Sequence, residues 1–163
     1  MDGEIFDEQD PVKLYVPKRE RREKFTIDAR APIGVFDSGI GGLTVVRELM
    51  RQIPDERMVY FGDTARLPYG AKSRDTIIRF SRQIVRFLKT KGVKAIVIAC
   101  NTASSHALKT LAEENDIPVI GVIYAGALSA VRATENGRIG VIGTRGTVSS
   151  GIYPKVIESL APG

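Results

Sequence analysis

Cys100 is the single cysteine of the chain, and the residues around it make it a candidate for chemistry. It follows the apolar run Ala95-Ile96-Val97-Ile98-Ala99 and precedes Asn101-Thr102-Ala103-Ser104, where a helical pattern begins. A sulfur at such a junction faces the free N–H groups that open a helix. Their partial positive charge favours thiolate over thiol, and a thiolate near neutral pH is a usable base. Asn101 and Thr102 can cap that helix and, with its amides, can hold a carboxylate. Two residues earlier, inside the run, the same side chain would be only a small apolar filler.

Three further loops carry residues of the right types. Asp37-Ser38-Gly39-Ile40-Gly41-Gly42 follows the first apolar run and opens a helical stretch. Its glycines permit a tight turn and a close backbone approach. The spacing is neither G-x-G-x-x-G nor a P-loop, so a nucleotide loop is not indicated. Asp37 or Ser38 as a helix cap, or the loop as a ligand site, both remain open. Gly62-Asp63-Thr64-Ala65-Arg66-Leu67-Pro68-Tyr69-Gly70 is long and rich in turn formers. It suits either a structural loop or one presenting Tyr69 or a backbone amide to a pocket. Arg66 is open to pairing with a carboxylate or to a place on the surface. Gly143-Thr144-Arg145-Gly146-Thr147-Val148 offers two hydroxyls at a helix start, for capping or for an anion. His106 falls at the margin of a buried helix face, a boundary position.

These loops need a scaffold, and hydrophobic patterning supplies one from Ala31 onward. Five short continuous apolar runs are predicted as strands: 33–36, 58–61, 95–99, 119–123 and 139–142. Continuous rather than alternating runs suit strands buried on both faces. Helices are expected at Leu43–Gln52, Ser73–Lys91, Thr102–Asn115, Ala125–Glu135 and Val148–Leu160. In the second of these, Ile77, Ile78, Ser81, Ile84, Val85 and Leu88 share one face, while Arg79, Arg82, Arg86 and Lys89 lie opposite. Alternating strand and helix predicts an α/β fold: a doubly wound, mostly parallel sheet. Ligands in such sheets sit beyond the carboxyl ends of the strands, where all four loops fall.

Composition narrows the class. The 163 residues are 43% apolar, enough for a core, and contain no apolar run long enough to span a membrane. One cysteine forms no internal disulfide, and one cysteine with one histidine is too little for a zinc site, so no metal is expected. A net charge of +5, spread over helices, argues against nucleic acid as a partner. Residues 1–30 differ from the rest: an acidic start, then Lys18-Arg19-Glu20-Arg21-Arg22-Glu23-Lys24, with few apolar side chains. They predict a charged flexible or weakly helical extension. The acidic start fits neither an export signal nor a transit peptide, so a cytoplasmic protein is expected.

Together the four loops, in order and correctly spaced, resemble the glutamate racemase branch of the aspartate/glutamate racemase family. The likeness runs from about Pro32 to the last residues, and the first and third motifs are the most telling. It implies interconversion of L- and D-glutamate by proton transfer at Cα without cofactor or metal, supplying D-glutamate for peptidoglycan. By this likeness Cys100 is one of two thiol bases, and Asp37 contacts substrate and assists proton transfer. Ser38, the backbone of Tyr69 and Gly70, Asn101, Thr102 and, as a weaker candidate, Thr147 complete the substrate shell. Residues 31–163 correspond to the amino-terminal α/β domain. The family's second domain, with a Cys-Thr-His segment supplying the other thiol, is absent from this sequence. The expectation is therefore a truncated, inactive half with an open apolar cleft and a tendency to form a homo-oligomer. Two rivals stand beside it: a single-thiol, decarboxylase-like enzyme of the same fold, and a non-catalytic α/β module that binds an anion or a partner.

Overall fold

The computed structural model describes residues 28–162, so residues 1–27 of the predicted extension lie outside it. Four parallel strands form one sheet: β1 (Ile33–Asp37), β2 (Met58–Gly62), β3 (Ala95–Ile98) and β4 (Val119–Gly121). Their order is β2-β1-β3-β4, with the chain's first strand inside. The helices are α1 (Leu43–Gln52), α2 (Arg74–Lys89), α3 (Asn101–Glu114), α4 (Ile123–Ala133), α5 (Arg145–Ser149) and α6 (Ile152–Leu160). The α/β class and the parallel, doubly wound sheet are as the patterning predicts.

Alternation along the strands divides the core between two faces. Phe36, Ile96, Ile98 and Val119 pack with Ile77, Ile84 and Leu88 of α2 and with Ala103, Ala107 and Leu111 of α3. Val35, Val97 and Ala99 point the other way, toward Val45, Val46 and Leu49 of α1. All six residues of the predicted α2 face are buried. That helix begins where Ser73 accepts the Thr76 N–H, a side-chain N-cap. Its outer basic face is partly tied down: Arg82 bonds Glu114 and Lys89 bonds Asp116, linking α2 to α3 and to the turn beyond it. Half-exposed ion pairs of this kind contribute little to stability, because solvent screens them.

Two predicted elements are corrected. Residues 139–142 form no strand, and Ile142 is 98% exposed. A strand is stabilised by the neighbour it pairs with, and none of the described strands pairs with this run; β4 pairs with β3 alone. The apolar run recorded a preference but could not supply the partner. The predicted helix Val148–Leu160 is two helices. Gly151 interrupts it at φ 64°, the left-handed region where a β-carbon is disfavoured. A third, smaller core sits apart from the sheet, where Ile123 and Ala127 of α4 meet Val156 of α6. None of the helices is long and apolar enough to cross a membrane among the described residues.

Candidate active site

Register decides what meets at the carboxyl edge. β1 pairs with β3 so that Phe36 lies beside Ile98, and the Ala99 N–H donates to the Phe36 carbonyl at 2.8 Å. The next residues, Asp37-Ser38 and Cys100, therefore leave the sheet side by side. On its other edge β1 aligns Asp37 with Gly62, and the Asp63 N–H donates to the Asp37 carbonyl at 2.9 Å.

Cys100 is the N-cap of α3, in extended conformation, and its sulfur accepts the Ala103 N–H at 3.4 Å. This corrects the capping expectation: the sulfur itself caps the helix, while Asn101 and Thr102 are its first two residues. The Ala103 N–H and the start of the helix both turn positive potential toward the sulfur. The thiol also lies 3.4 Å from the Ser38 hydroxyl, which in turn lies 3.4 Å from Asp37 Oδ1. Sulfur, hydroxyl and carboxylate thus form a continuous chain along which a proton can pass. Cys100 is 6% exposed and touches the main core on one side. Its other side meets Ser38, so it is not sealed in hydrocarbon.

The Asp37 carboxylate is fixed by backbone. The Ser38 N–H donates to Oδ1 at 2.7 Å and the Gly42 N–H to Oδ2 at 2.8 Å. The carboxylate therefore ties down the turn into α1 through Gly42, the helix's N-cap residue, whose own side chain can offer no cap. Gly42 is required for this approach: a β-carbon there would stand 2.7 Å from the Asp37 Cβ and 2.9 Å from the Ala99 Cβ. Tyr60 closes the loop from below, its O–H donating to the Gly39 carbonyl at 2.9 Å. Burial, and then the charges of Asp37 and Cys100, hold the Tyr60 phenol above its ordinary value, so it stays a donor.

The second loop turns its tyrosine inward. Tyr69 is 1% exposed and stacks at a tilt on Phe80, with its O–H donating to Asp63 Oδ2. What Tyr69-Gly70 presents at the edge is therefore backbone. Asp63, itself buried, also holds Arg66, whose Nε donates to Oδ1 at 2.9 Å and whose guanidinium lies over the Phe80 ring. Of the two readings of Arg66, the structure realises the carboxylate pair. Gly70 abuts Thr144 so closely that a β-carbon would meet the threonine Cβ at 2.5 Å.

Thr102, Thr144 and Thr147 form a hydroxyl triangle with oxygen separations of 2.8, 3.2 and 3.1 Å. Thr144 caps α5, accepting the Thr147 N–H at 3.3 Å. The sequence offers the Thr144 and Thr147 hydroxyls alike for capping or for an anion, and the resemblance places Thr102 and Thr147 in the substrate shell; the structure adds Thr144 to them. His106 Nε2 donates to the Gly146 carbonyl at 3.0 Å and so pins α5 to α3, a structural role. Among the described residues no group of three or more His, Cys, Asp or Glu side chains is placed to hold a metal ion.

This arrangement has counterparts. The family model for Asp/Glu/hydantoin racemases matches residues 33–161. The chain belongs to that family. It is 56% identical over 128 residues to the glutamate racemase of Oceanobacillus iheyensis, an alignment covering 78% of this chain and 47% of that protein. Among solved structures it resembles a glutamate racemase isoform of Bacillus anthracis, with a TM-score of 0.80 and 48% identity over 82% of this chain and 50% of the other. It also resembles the Francisella tularensis glutamate racemase solved in complex with D-glutamate, with a TM-score of 0.73 and 49% identity over 82% of this chain and 50% of the other. The chain spans about half the length of the curated relatives it matches.

Proposed function

We propose that this chain provides one face of a glutamate racemase site, with Cys100 as the thiol that moves the α-proton. The observation that carries the reading is the sulfur at the start of α3, in contact through Ser38 with Asp37. A family relative is solved with D-glutamate bound, which gives the substrate class.

In this reading the Cys100 thiolate takes the proton from Cα of glutamate. The electron pair left behind is delocalised into the α-carboxylate. Donors at the start of α3, with Asn101 and Thr102, hold that group as its charge grows. Asp37 receives the substrate ammonium at Oδ2, which accepts only the Gly42 N–H and keeps a lone pair free, whereas Oδ1 accepts both the Ser38 N–H and the Ser38 hydroxyl. Ser38 passes a proton between sulfur and carboxylate. The Tyr69-Gly70 backbone and Thr147 line the shell. No cofactor enters these steps. Inversion also needs an acid on the opposite face of Cα, and this chain has no second cysteine to serve. The product, D-glutamate, is the form used in peptidoglycan.

The test is proton exchange. The chain is incubated with L- or D-glutamate in D₂O, alone and joined to the complementary half of a relative. Loss of the Cα proton is followed by NMR and inversion by circular dichroism. Exchange that disappears in Cys100→Ser is expected. Exchange by the unjoined chain without inversion would mark single-thiol chemistry. Activity that survives Cys100→Ser, or its absence from both the unjoined and joined forms, refutes the proposal.

A further inference from the structure

One residue outside the four loops reaches the site. Tyr153 on α6 donates its phenol O–H to the side-chain oxygen Oδ1 of Asn101 at 2.7 Å. Asn101 is the first residue of α3, adjacent to the candidate base, and is exposed. A carboxamide has an acceptor end and a donor end, and on an exposed helix start it can turn either outward. A donor end attracts a carboxylate, whereas an acceptor end repels it. With Oδ1 engaged by Tyr153, the two N–H donors of Nδ2 are the end left for an anion.

The phenol is itself held in place. Tyr153 packs against the small core of Ile123, Ala127 and Val156, apart from the sheet. Gly126 of α4 makes room for it: a β-carbon there would stand 3.1 Å from the phenol oxygen. Burial also holds this phenol above its ordinary value, so it remains a donor.

We infer that Tyr153 is a positioning residue for the glutamate site: it orients the Asn101 carboxamide so that its N–H donors meet a substrate carboxylate. The inference rests on the glutamate reading above. It assigns α4 and α6, which carry none of the proposed catalytic groups, the task of setting a donor beside Cys100.

The experiment uses ¹⁵N-labelled chain and three variants: Tyr153→Phe, Asn101→Ala and the double variant. Tyr153→Phe keeps the ring and its packing. It is expected to shift the Asn101 side-chain amide resonances without ligand. It should also weaken glutamate binding, read from the Thr102 backbone amide, by about two- to tenfold, the loss of one hydrogen bond. In the Asn101→Ala background the same change should weaken binding no further, because the phenol acts through Asn101. Unmoved Asn101 resonances, or equal weakening in both backgrounds, overturn the inference. A wild-type chain whose Thr102 amide never responds to glutamate, either unjoined or joined to the complementary half of a relative, refutes the glutamate reading and the inference with it. A wild-type response with additive variants refutes the inference alone.

Discussion

Replacing Gly42 with alanine sets two effects against each other. The backbone there, φ −64° and ψ −12°, is ordinary right-handed helix, so alanine fits the torsions. Reduced freedom of the unfolded chain would then stabilise by about 0.4–1 kcal/mol. Against this, the new methyl would lie 2.7 Å from the Asp37 Cβ and 2.9 Å from the Ala99 Cβ. Both atoms are attached directly to backbone, so neither can rotate away, and the strand ends or the turn must shift by most of an ångström. Overpacking of this kind costs about 1–3 kcal/mol. The shift also strains the 2.8 Å bond from the Gly42 N–H to Asp37 Oδ2, a charge-assisted bond of about 1.5–3 kcal/mol. The steric and hydrogen-bond losses win, for a net destabilisation of about 2–4 kcal/mol. With a urea dependence of about 2 kcal/mol per molar, the unfolding midpoint should fall by about 1–2 M. Equilibrium unfolding followed by far-ultraviolet circular dichroism measures it. Gly140→Ala is the control, since a β-carbon there meets nothing within 4 Å. If Gly42→Ala unfolds within about 0.5 kcal/mol of the wild type, the account of how Asp37 is fixed is wrong.

Three other perturbations have expected outcomes. Ser81 is fully buried on the α2 face and its hydroxyl has no hydrogen-bond partner among the described residues. Ser81→Ala should therefore raise stability by about 1 kcal/mol, and a lower thermal midpoint would contradict this. Ser104, also buried, donates to the Ile98 carbonyl at 3.0 Å and accepts the Val122 N–H at 3.3 Å, so it joins the end of β3 to the start of α4. Ser104→Ala should cost about 1–3 kcal/mol in urea unfolding, and a loss near zero would show that water replaces the hydroxyl. The Tyr69 phenol is held above its ordinary value of 10.0 by burial and then by its bond to Asp63. The folded chain keeps a proton that the unfolded chain releases, so this contribution is complete below pH 10 and is lost as pH rises above it. Tyr69→Phe should make the alkaline decline in stability shallower; an unchanged slope would place the titrating group elsewhere.

The sequence by itself determined the class of fold and the edge where chemistry belongs. Continuous β-branched runs can be buried only on both faces, and 3.6-residue periodicity names the α2 face residue by residue, so these features are local and legible. The position of Cys100 between run and helix was equally legible, because a strand end and a helix start are both written in adjacent residues. Tertiary structure decided the rest. Whether residues 139–142 pair depends on a neighbouring strand, which no local pattern contains. The side-by-side exit of Asp37 and Cys100 is set by the register of β1 on β3, and a shift of one residue would turn each side chain to the other face. The inward turn of Tyr69 follows from the buried carboxylate of Asp63 that receives its hydroxyl. The bond from Tyr153 to Asn101 spans 52 positions and arises from the packing of α6 against α4, where Gly126 leaves room for the phenol. Contacts of this kind depend on how the elements pack in space, and a linear pattern carries no record of that.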